Sequence, residues 1–392
     1  MMPLKTVRHF PSHATLRQRG LTLIELMVAM LIGLLLALAM VSALMFGEAQ
    51  RRTTSAGSDT DQSGAYVASV LDTALRNAGS DLMRSAGPLS AQVLGCNPGF
   101  AAATSAPTPF NQFLGGNLGN LSVAPVLIES NPTNASPPTD ILAVMSGSGA
   151  AGGIPRTVLG AAGATLTLPN TIGIAANSRV LIDQPNSSAN CSIQTVTAVN
   201  AGGTTLTLSA APASNPSIVL PLGDPSEVQF QLFGVDRATA TLASYDLLTN
   251  TSRPMASNVV AMQALYGVAG SNGQLAQWVA PTAASGYDPQ TLMADQDKLR
   301  QIVAVRIALI LQSALYEKDA TDDNGQKVAV SAGRQLSWFN PVAETNTDLT
   351  GIQFIGLSVP QTWTPAADTA DEHHRYKVIE FVVPMRNSMI VN

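Results

Sequence analysis

The most pronounced feature of the hydrophobic pattern is an apolar run near the N-terminus. Leu26 to Gly47 are 22 consecutive residues without a charged side chain or a proline. A helix of that length measures about 33 Å, which is enough to cross a hydrocarbon core of roughly 30 Å. An ordinary secretory signal peptide has an apolar region of only about 7 to 15 residues. The run therefore predicts a transmembrane helix over residues 21–47, preceded by a leader of residues 1–20.

The segment that follows the run is first polar and then amphipathic. Residues 48–62 are polar and include Gly57. We therefore expect the helix there either to continue with low stability or to melt. Apolar residues then recur at three- and four-residue spacing, which predicts a helix with one buried face and a C-cap at Gly79. This stripe consists of Tyr66, Val67, Val70, Leu71, Ala74, Leu75 and Ala78. The continuation of the helix is placed at residues 48–80.

From residue 81 onward the pattern is that of strands, which we assign to one β-rich domain over residues 81–392. The segments are 140–145, 178–182, 192–199, 227–232, 259–268, 302–311 and 376–383. In the sixth of them, alternate residues from Val303 to Leu311 are apolar, whereas Arg306 and Gln312 are expected to point outward. That alternation predicts a sheet that is covered on one side.

A Thr- and Val-rich stretch within this domain is interpreted as an inserted β-rich subdomain at residues 136–222. It contains a short internal repeat, because the Thr-Leu-Thr-Leu of residues 165–168 recurs at residues 205–208. Two copies are too few for a solenoid. The predicted fold class is α+β, with a long N-terminal helix packed on an antiparallel sheet and the insert added to it.

The distribution of charge orients the chain. It has 21 Lys and Arg against 26 Asp and Glu, and four of the bases but none of the acids lie in residues 1–20. Basic residues ahead of a membrane helix remain in the cytoplasm, so the body is predicted to be periplasmic in a bacterial inner-membrane protein with a single span. An acidic body without a Lys/Arg cluster is a poor ligand for phosphate backbones, and no nucleic acid partner is expected.

The two cysteines, Cys96 and Cys191, both follow the apolar run. Two thiols in an oxidising compartment usually pair, which makes a disulfide possible, and two unpaired buried thiols are the alternative. No Cys-x-x-Cys pair is present, and the four histidines divide between the leader and the pair His373-His374. No metal site is predicted.

Glu25 is an acid at the edge of an apolar helix, where it costs up to about 2.5 to 3.5 kcal/mol on insertion scales. The surrounding sequence, Arg17-Gln-Arg-Gly-Leu-Thr-Leu-Ile-Glu25, resembles the N-terminus of type IV prepilins. The resemblance implies that a prepilin peptidase cleaves between Gly20 and Leu21 and that the new amine of Leu21 is methylated. It also implies that Glu25 meets the Leu21 amine of a neighbouring subunit and sets the register of a filament.

Two departures from the major pilins narrow the resemblance. The first mature residue is Leu21 where Phe is usual, and Ser42 stands where major pilins often have a proline. Both departures favour a minor pilin or a pseudopilin.

Further segments, in the same order along the chain, are similar to PilW-like minor pilins. They are 75–79 (LRNAG), 180–183 (VLID), 233–236 (FGVD), 244–247 (SYDL), 259–268 with Tyr266-Gly267, 303–307 (VAVRI) and 382–387 (VVPMRN). The implied function is that of a minor pilin in type IV pilus assembly, in a priming or tip complex. Implied partners are the prepilin peptidase, other minor pilins, the major pilin and the inner-membrane assembly platform. The alternatives are a J-type pseudopilin of type II secretion and an adhesive tip module formed by the insert.

No enzymatic role and no cofactor are predicted. Residues 147–152 fit the spacing G-x-G-x-x-G, but Pro155 follows where a helix would have to begin, so a flexible turn is the interpretation. The acidic segment 319–325 is interpreted as a solvated hairpin loop, with a calcium site as the alternative. No nucleophile motif or zinc-protease motif occurs in the sequence.

Overall fold

The computed structural model describes residues 22–83, 93–100, 106–149, 153–184, 190–200, 202–317, 319–321, 324–340, 352–358, 360–366 and 369–389. The chain divides into two units, Met1–Ser55 and Ala56–Asn392. The first unit is described from residue 22 and consists there of helix. The second unit contains every strand that the described residues form.

Helix α1 extends over Leu23–Asn77. Of the two alternatives for residues 48–62, continuation rather than melting is therefore observed. In the second unit its buried face consists of Gly64, Val67, Leu71, Leu75 and others at the same spacing. Tyr66, which the spacing assigns to this stripe, is 52% exposed instead, because its neighbour Val67 occupies the buried position of that turn.

The remaining helices are short. They are α2 (Pro289–Ala294), α3 (Gln296–Gln301) and α4 (Arg386–Met389), with 3₁₀ turns at Phe110–Gly116, Leu118–Asn120, Ala283–Ser285 and Ala370–His373.

The strands are, in chain order, β1 (Val126–Glu129), β2 (Ile141–Ser146), β3 (Arg156–Thr157), β4 (Gly160–Ala162), β5 (Thr165–Thr167), β6 (Arg179–Asp183), β7 (Cys191–Val199), β8 (Thr205–Leu208), β9 (Ile218–Gly223), β10 (Gln229–Asp236), β11 (Thr241–Asp246), β12 (Thr251–Ser257), β13 (Val259–Ala269), β14 (Leu275–Val279), β15 (Ile302–Gln312), β16 (Ala320–Thr321), β17 (Lys327–Val328), β18 (Leu336–Trp338), β19 (Gln353–Ile355), β20 (Gln361–Trp363) and β21 (Tyr376–Pro384).

These strands form three larger sheets and two small pairs. The first sheet has the order β1-β2-β10-β11-β12, and the second has the order β19-β14-β13-β15-β21. The insert sheet has the order β3-β9-β6-β7-β8-β5-β4, and β16-β17 and β18-β20 are the pairs. All neighbours are antiparallel except β14 and β19, which are parallel. The predicted α+β class is thus confirmed.

The insert is narrower than the predicted range of 136–222. Its sheet begins with β3 at Arg156 and ends with β9 at Gly223. Residues 141–146 form β2 instead, which pairs with β1 and β10 in the first sheet. The two copies of the internal repeat pair with each other, because β5 is antiparallel to β8. Leu166 lies directly opposite Leu206 in the insert's own core.

The second sheet is covered on both faces, so the prediction of a one-sided sheet is wrong. Val305, Ile307 and Leu309 of β15 lie in the core that also contains the apolar face of α1. Ala304, Ala308 and Ile310 of the same strand lie in a second core. This second core is closed by aromatic residues from distant parts of the chain, namely Trp278, Trp338, Phe339 and Trp363. Arg306, predicted to point outward, is consequently only 5% exposed.

At Gly64, α1 packs tightly against side chains of the second sheet. A Cβ atom at this position would come within 2.6 Å of Leu311 Cδ1 and would also overlap Ile379. Gly57, two turns earlier on the same helix, has no atom within 4 Å of its Cβ position.

We predict that Gly64→Leu lowers the free energy of unfolding by at least about 1 to 3 kcal/mol, since the extra atoms overpack a filled core. Gly57→Leu is the matched control and should be neutral or stabilising by up to about 1 kcal/mol, because Leu is a better helix former than Gly. Urea unfolding of the two variants of the full chain in detergent measures both effects. Equal stability of the two would contradict the packing observed at Gly64.

Candidate functional site

The first turn of α1 is organised around Thr22. The Glu25 backbone N–H donates to Thr22 Oγ1 at 3.3 Å, and the Leu26 N–H donates to the Thr22 carbonyl at 3.1 Å. A threonine that accepts from the third residue of the helix is an N-cap, and it satisfies one of the otherwise unpaired N–H groups at the helix start. Sequence reasoning missed Thr22, although Thr-x-x-Glu is the spacing of a capping box.

Glu25 lies in this first turn with its side chain exposed. The N-terminal end of a helix carries a partial positive charge, which favours a carboxylate at this position. The predicted cleavage and methylation residues, Gly20 and Leu21, lie outside the described residues. The distance from Glu25 to either of them is therefore not assigned.

The apolar part of α1 has no protein cover within the described chain. Leu23–Met45 is long and apolar enough to cross a membrane. Its large apolar side chains are between 47% and 79% exposed, which contrasts with the filled cores of the second unit. Ser42, at the position where major pilins often have a proline, donates its hydroxyl to the carbonyls of Leu38 and Ala39 at 3.1 and 2.9 Å. This segment requires lipid or other apolar helices as its surroundings.

Cys96 and Cys191 form a disulfide with their Cα atoms 5.8 Å apart. Cys96 precedes the first sheet, and Cys191 is the first residue of β7 in the insert sheet. Next to the bridge, the Cys191 N–H donates to the Asn97 carbonyl at 3.3 Å, and the Asn97 N–H donates to Asn190 Oδ1 at 2.5 Å. The bridge therefore attaches the insert to the segment that leads into the first sheet.

Arg306 and Glu380 form a largely buried ion pair between β15 and β21. Arg306 Nη2 lies 3.0 Å from Glu380 Oε2, and the two side chains are 6% and 27% exposed. Glu380 Oε1 accepts the Phe339 backbone N–H at 3.0 Å. The guanidinium also lies 5.6 to 5.8 Å from the ring centres of Trp278, Phe339 and Phe354. Pairing and aromatic contact together compensate the burial of this charge.

Asp140 is a second buried charge-bearing group, located just before β2. Its Oδ1 accepts from the Asn131 N–H at 3.1 Å and its Oδ2 accepts from the Ala264 N–H at 2.9 Å. Burial, together with a smaller effect of the nearby carboxylate of Glu129, nevertheless raises the pKa of Asp140 to about 7. Burial also raises the pKa of Glu129 itself. The neighbouring Tyr266 hydroxyl accepts the Ile128 N–H and is equally enclosed.

The histidine pair and the acidic loop lie near each other. His373 Nδ1 is 3.0 Å from the Glu317 carbonyl and 3.6 Å from Asp319 Oδ1, and its ring stacks on Tyr316 at 4.3 Å. His374 Nδ1 is 2.9 Å from the Ser313 carbonyl. Within the described residues, no group of three or more His, Cys, Asp or Glu side chains could hold a metal ion. Asp322 and Asp323 of the acidic loop lie outside the described residues.

Comparison with known proteins adds two family matches. Residues 15–41 match the prokaryotic N-terminal methylation motif. Residues 237–387 match the family of type IV pilus-assembly protein W, PilW. Of the segments that resemble PilW in the sequence, 244–247, 259–268, 303–307 and 382–387 fall inside the second range, whereas the insert sheet lies outside both.

Comparisons with curated proteins and with solved structures say less about the family of this chain. No curated protein matches the chain. A type IV-like pilin from Thermus thermophilus matches among solved structures with 12% identity and a TM-score of 0.20, over 55% of this chain and 89% of that pilin. A superposition this loose does not define a shared architecture.

A methylation motif that leads into an exposed apolar helix, followed by an antiparallel α+β body, makes this chain similar to the type IV pilin-like class of proteins. Over residues 237–387, the body is similar to the PilW family. The resemblance inferred from the sequence is thereby confirmed.

We predict that Arg306→Met lowers the free energy of unfolding by about 3 kcal/mol, because Glu380 is left without its buried partner. Arg375→Met is the matched control. It breaks the Arg375–Glu317 pair, in which the arginine is 49% exposed, and should cost at most about 1 kcal/mol. Urea unfolding measures both variants, and equal losses would mean that the Arg306 pair contributes no more than a surface pair.

We predict that the buried Asp140 makes the free energy of unfolding depend on pH. Its folded pKa of about 7 lies above the ordinary value of 3.8, so its contribution to stability is complete below about pH 4 and is lost as the pH rises to 7. The slope is at most about 1.4 kcal/mol per pH unit. Asp140→Asn should flatten this decline in urea unfolding between pH 4.5 and 7.5. Asp297→Asn, at an 88% exposed side chain, should leave the decline as in wild type, and an unchanged slope in Asp140→Asn would contradict the assignment.

Proposed function

We propose that the chain is a minor pilin that takes part in type IV pilus assembly, within a priming or tip complex, and that it acts as a structural subunit and not as an enzyme. The observation that carries the proposal is the exposed apolar span of Leu23–Met45 with Glu25 in its capped first turn. The PilW match over residues 237–387 supports the pilus over a secretion filament.

The proposed pathway begins in the inner membrane. The bases of residues 1–20 keep the leader in the cytoplasm, and the body lies in the periplasm. The disulfide Cys96–Cys191 supports an oxidising compartment for the body. Prepilin peptidase cleaves between Gly20 and Leu21, where a glycine without Cβ lets the backbone lie close to the enzyme. Methylation of the Leu21 amine follows.

Assembly then moves the apolar span from lipid into contact with other pilin helices. The new amine of Leu21 in a neighbouring subunit is the proposed partner of Glu25. At about 4 Å and an effective dielectric near 20, such a pair is worth about 4 kcal/mol before desolvation, so it selects axial register more than it adds stability. The further proposed partners are other minor pilins, the major pilin and the inner-membrane assembly platform.

Glu25→Ala tests this role of the carboxylate. We expect the leader to be removed as in wild type, as measured by the mass of the purified chain, because the cleavage site is unchanged. Incorporation into sheared pili should fall roughly tenfold or more, since the register pair is lost. Glu48→Ala removes another exposed acid from the same helix and is the matched control, with incorporation expected near the wild-type level.

Two results would count against the proposal. Normal incorporation of the Glu25→Ala chain would exclude the register role. Deletion of the gene that leaves pili intact but stops protein secretion would favour the J-type pseudopilin instead.

A further inference from the structure

The last strand of the second sheet, β21, has one edge that no other described strand covers. On its other side it pairs with β15 over nine consecutive residues without a register shift. The unpaired N–H and C=O groups of a strand edge are a template for a further strand. The length and regularity of this edge make it a candidate binding surface.

The hydrogen-bond pattern shows which backbone groups of β21 point outward. The Met385 N–H donates to the Val303 carbonyl at 2.8 Å, and the Ser313 N–H donates to the Arg375 carbonyl at 2.7 Å, at the two ends of the ladder. Because the direction of these bonds alternates along an antiparallel pair, odd-numbered residues of β21 bond to β15 and even-numbered residues point away from it. The outward N–H and C=O groups are therefore those of Tyr376, Val378, Glu380 and Val382.

The other edges of the three larger sheets are protected in ways that β21 is not. Strands β1 and β19 have only four and three residues, and β12 is interrupted by Pro254 and a register shift. In the insert sheet, the Val158 N–H donates to the Ser217 carbonyl and the Leu159 N–H donates to the Thr167 carbonyl, so the chain of β3 and β4 joins both ends of the sheet. Proteins shorten, interrupt or close their edges to prevent pairing, and a long regular edge without these devices indicates a partner strand.

The side chains beside the open edge select the chemistry of that partner. Val382 is 44% exposed on one face of the sheet, and Ile379 and Phe381 are half-buried on the other, so a pairing strand has to supply apolar side chains. Lys377 is paired with Asp61 of α1, whereas Arg386, just beyond the strand, is exposed and has no carboxylate partner among the described residues. An acidic group at the adjoining end of the partner strand complements this charge.

We propose that the outward edge of β21 binds an extended segment of a different protein, which adds an antiparallel strand to the second sheet. The segment is free of proline, rich in β-branched residues and acidic at the end next to Arg386. Main-chain hydrogen bonds to the four outward residues supply the affinity. The proposal uses only residues of the body and does not rest on the role in pilus assembly.

A fluorescently labelled nonapeptide, Glu-Val-Thr-Val-Thr-Val-Thr-Val-Thr, tests the proposal by fluorescence anisotropy with the full chain in detergent. Its valines are N-methylated, so it offers hydrogen bonds along one edge only and does not stack into sheets of its own. We expect saturable binding to wild type. The same peptide with every residue N-methylated is the control probe and should bind at least about tenfold more weakly, because it has no N–H to donate.

Two substitutions at one position separate the backbone edge from the side chain. Val382→Pro removes an outward N–H that β15 does not use, and its ring obstructs a pairing strand, so binding should weaken about tenfold. Val382→Thr keeps the N–H and is the matched control, with binding expected within about twofold of wild type. Arg386→Gln should weaken binding by up to about fivefold, the value of an exposed ion pair. The urea midpoint of each variant reports whether it is folded.

The outcomes that overturn the proposal are distinct. Absence of binding of the valine-methylated peptide to wild type overturns it, and so does equal binding of the two peptides, because backbone hydrogen bonds are then not used. Equal binding to wild type and to a folded Val382→Pro overturns it as well, since the peptide is then bound elsewhere. Sedimentation of the chain without peptide tests for a second copy. A dimer that Val382→Pro converts to monomers would show that another copy of this chain occupies the edge, and it would overturn the assignment to a different protein.

Discussion

The structure of the body depends on the burial of one strand pair, β13 and β15, on both of its faces. Each strand has 11 residues, and their antiparallel register brings Ala264 opposite Ile307 and Tyr266 opposite Val305. Helix α1 covers one face and an aromatic layer covers the other. Because apolar side chains on both faces lose contact with water, this pair contributes apolar burial that a one-sided sheet would lack. The remaining strands of the second sheet extend it sideways.

Because the strand pair is covered on both faces, the charge of Arg306 is buried, and the same cover supplies the groups that stabilise this charge. A charge in the middle of a covered strand is unfavourable, yet the same covering layer brings Phe354 and Phe339 next to the guanidinium, and β21 brings Glu380. Asp140 near the other core is satisfied by backbone N–H groups instead of a cation. Burial raises the pKa of Asp140 although these hydrogen bonds lower it, so its proton is retained to a higher pH than that of an ordinary aspartate. The body thus compensates the buried Arg306 by ion pairing and the buried Asp140 by hydrogen bonds.

Local sequence patterns predicted the helices and strands more accurately than they predicted which residues pack around them. The spacing of Val67, Leu71 and Leu75 identified the buried face of α1, since helix periodicity depends on neighbouring residues only. The alternation in β15 predicted the wrong environment for Arg306, because the layer above it includes Trp338, Phe339 and Trp363, which are far along the chain. The limits of the insert depend on strand register, which one sequence does not specify. Thr22 was within reach of sequence reasoning, through its capping-box spacing.

The disulfide has a mechanical consequence for a chain that is proposed to act as a filament subunit. Cys96 and Cys191 are 95 residues apart, and the chain between them contains β1 and β2 of the first sheet and β3 to β6 of the insert sheet. If tension were applied to the two ends of the chain, the load would pass through the sulfur atoms and bypass this loop. The contour length of this loop, about 320 Å, would then not contribute to the extension of the chain. Strands β1 to β6 are thereby shielded from pulling forces, whereas β7, β8 and β9 of the insert sheet lie on the loaded part of the chain.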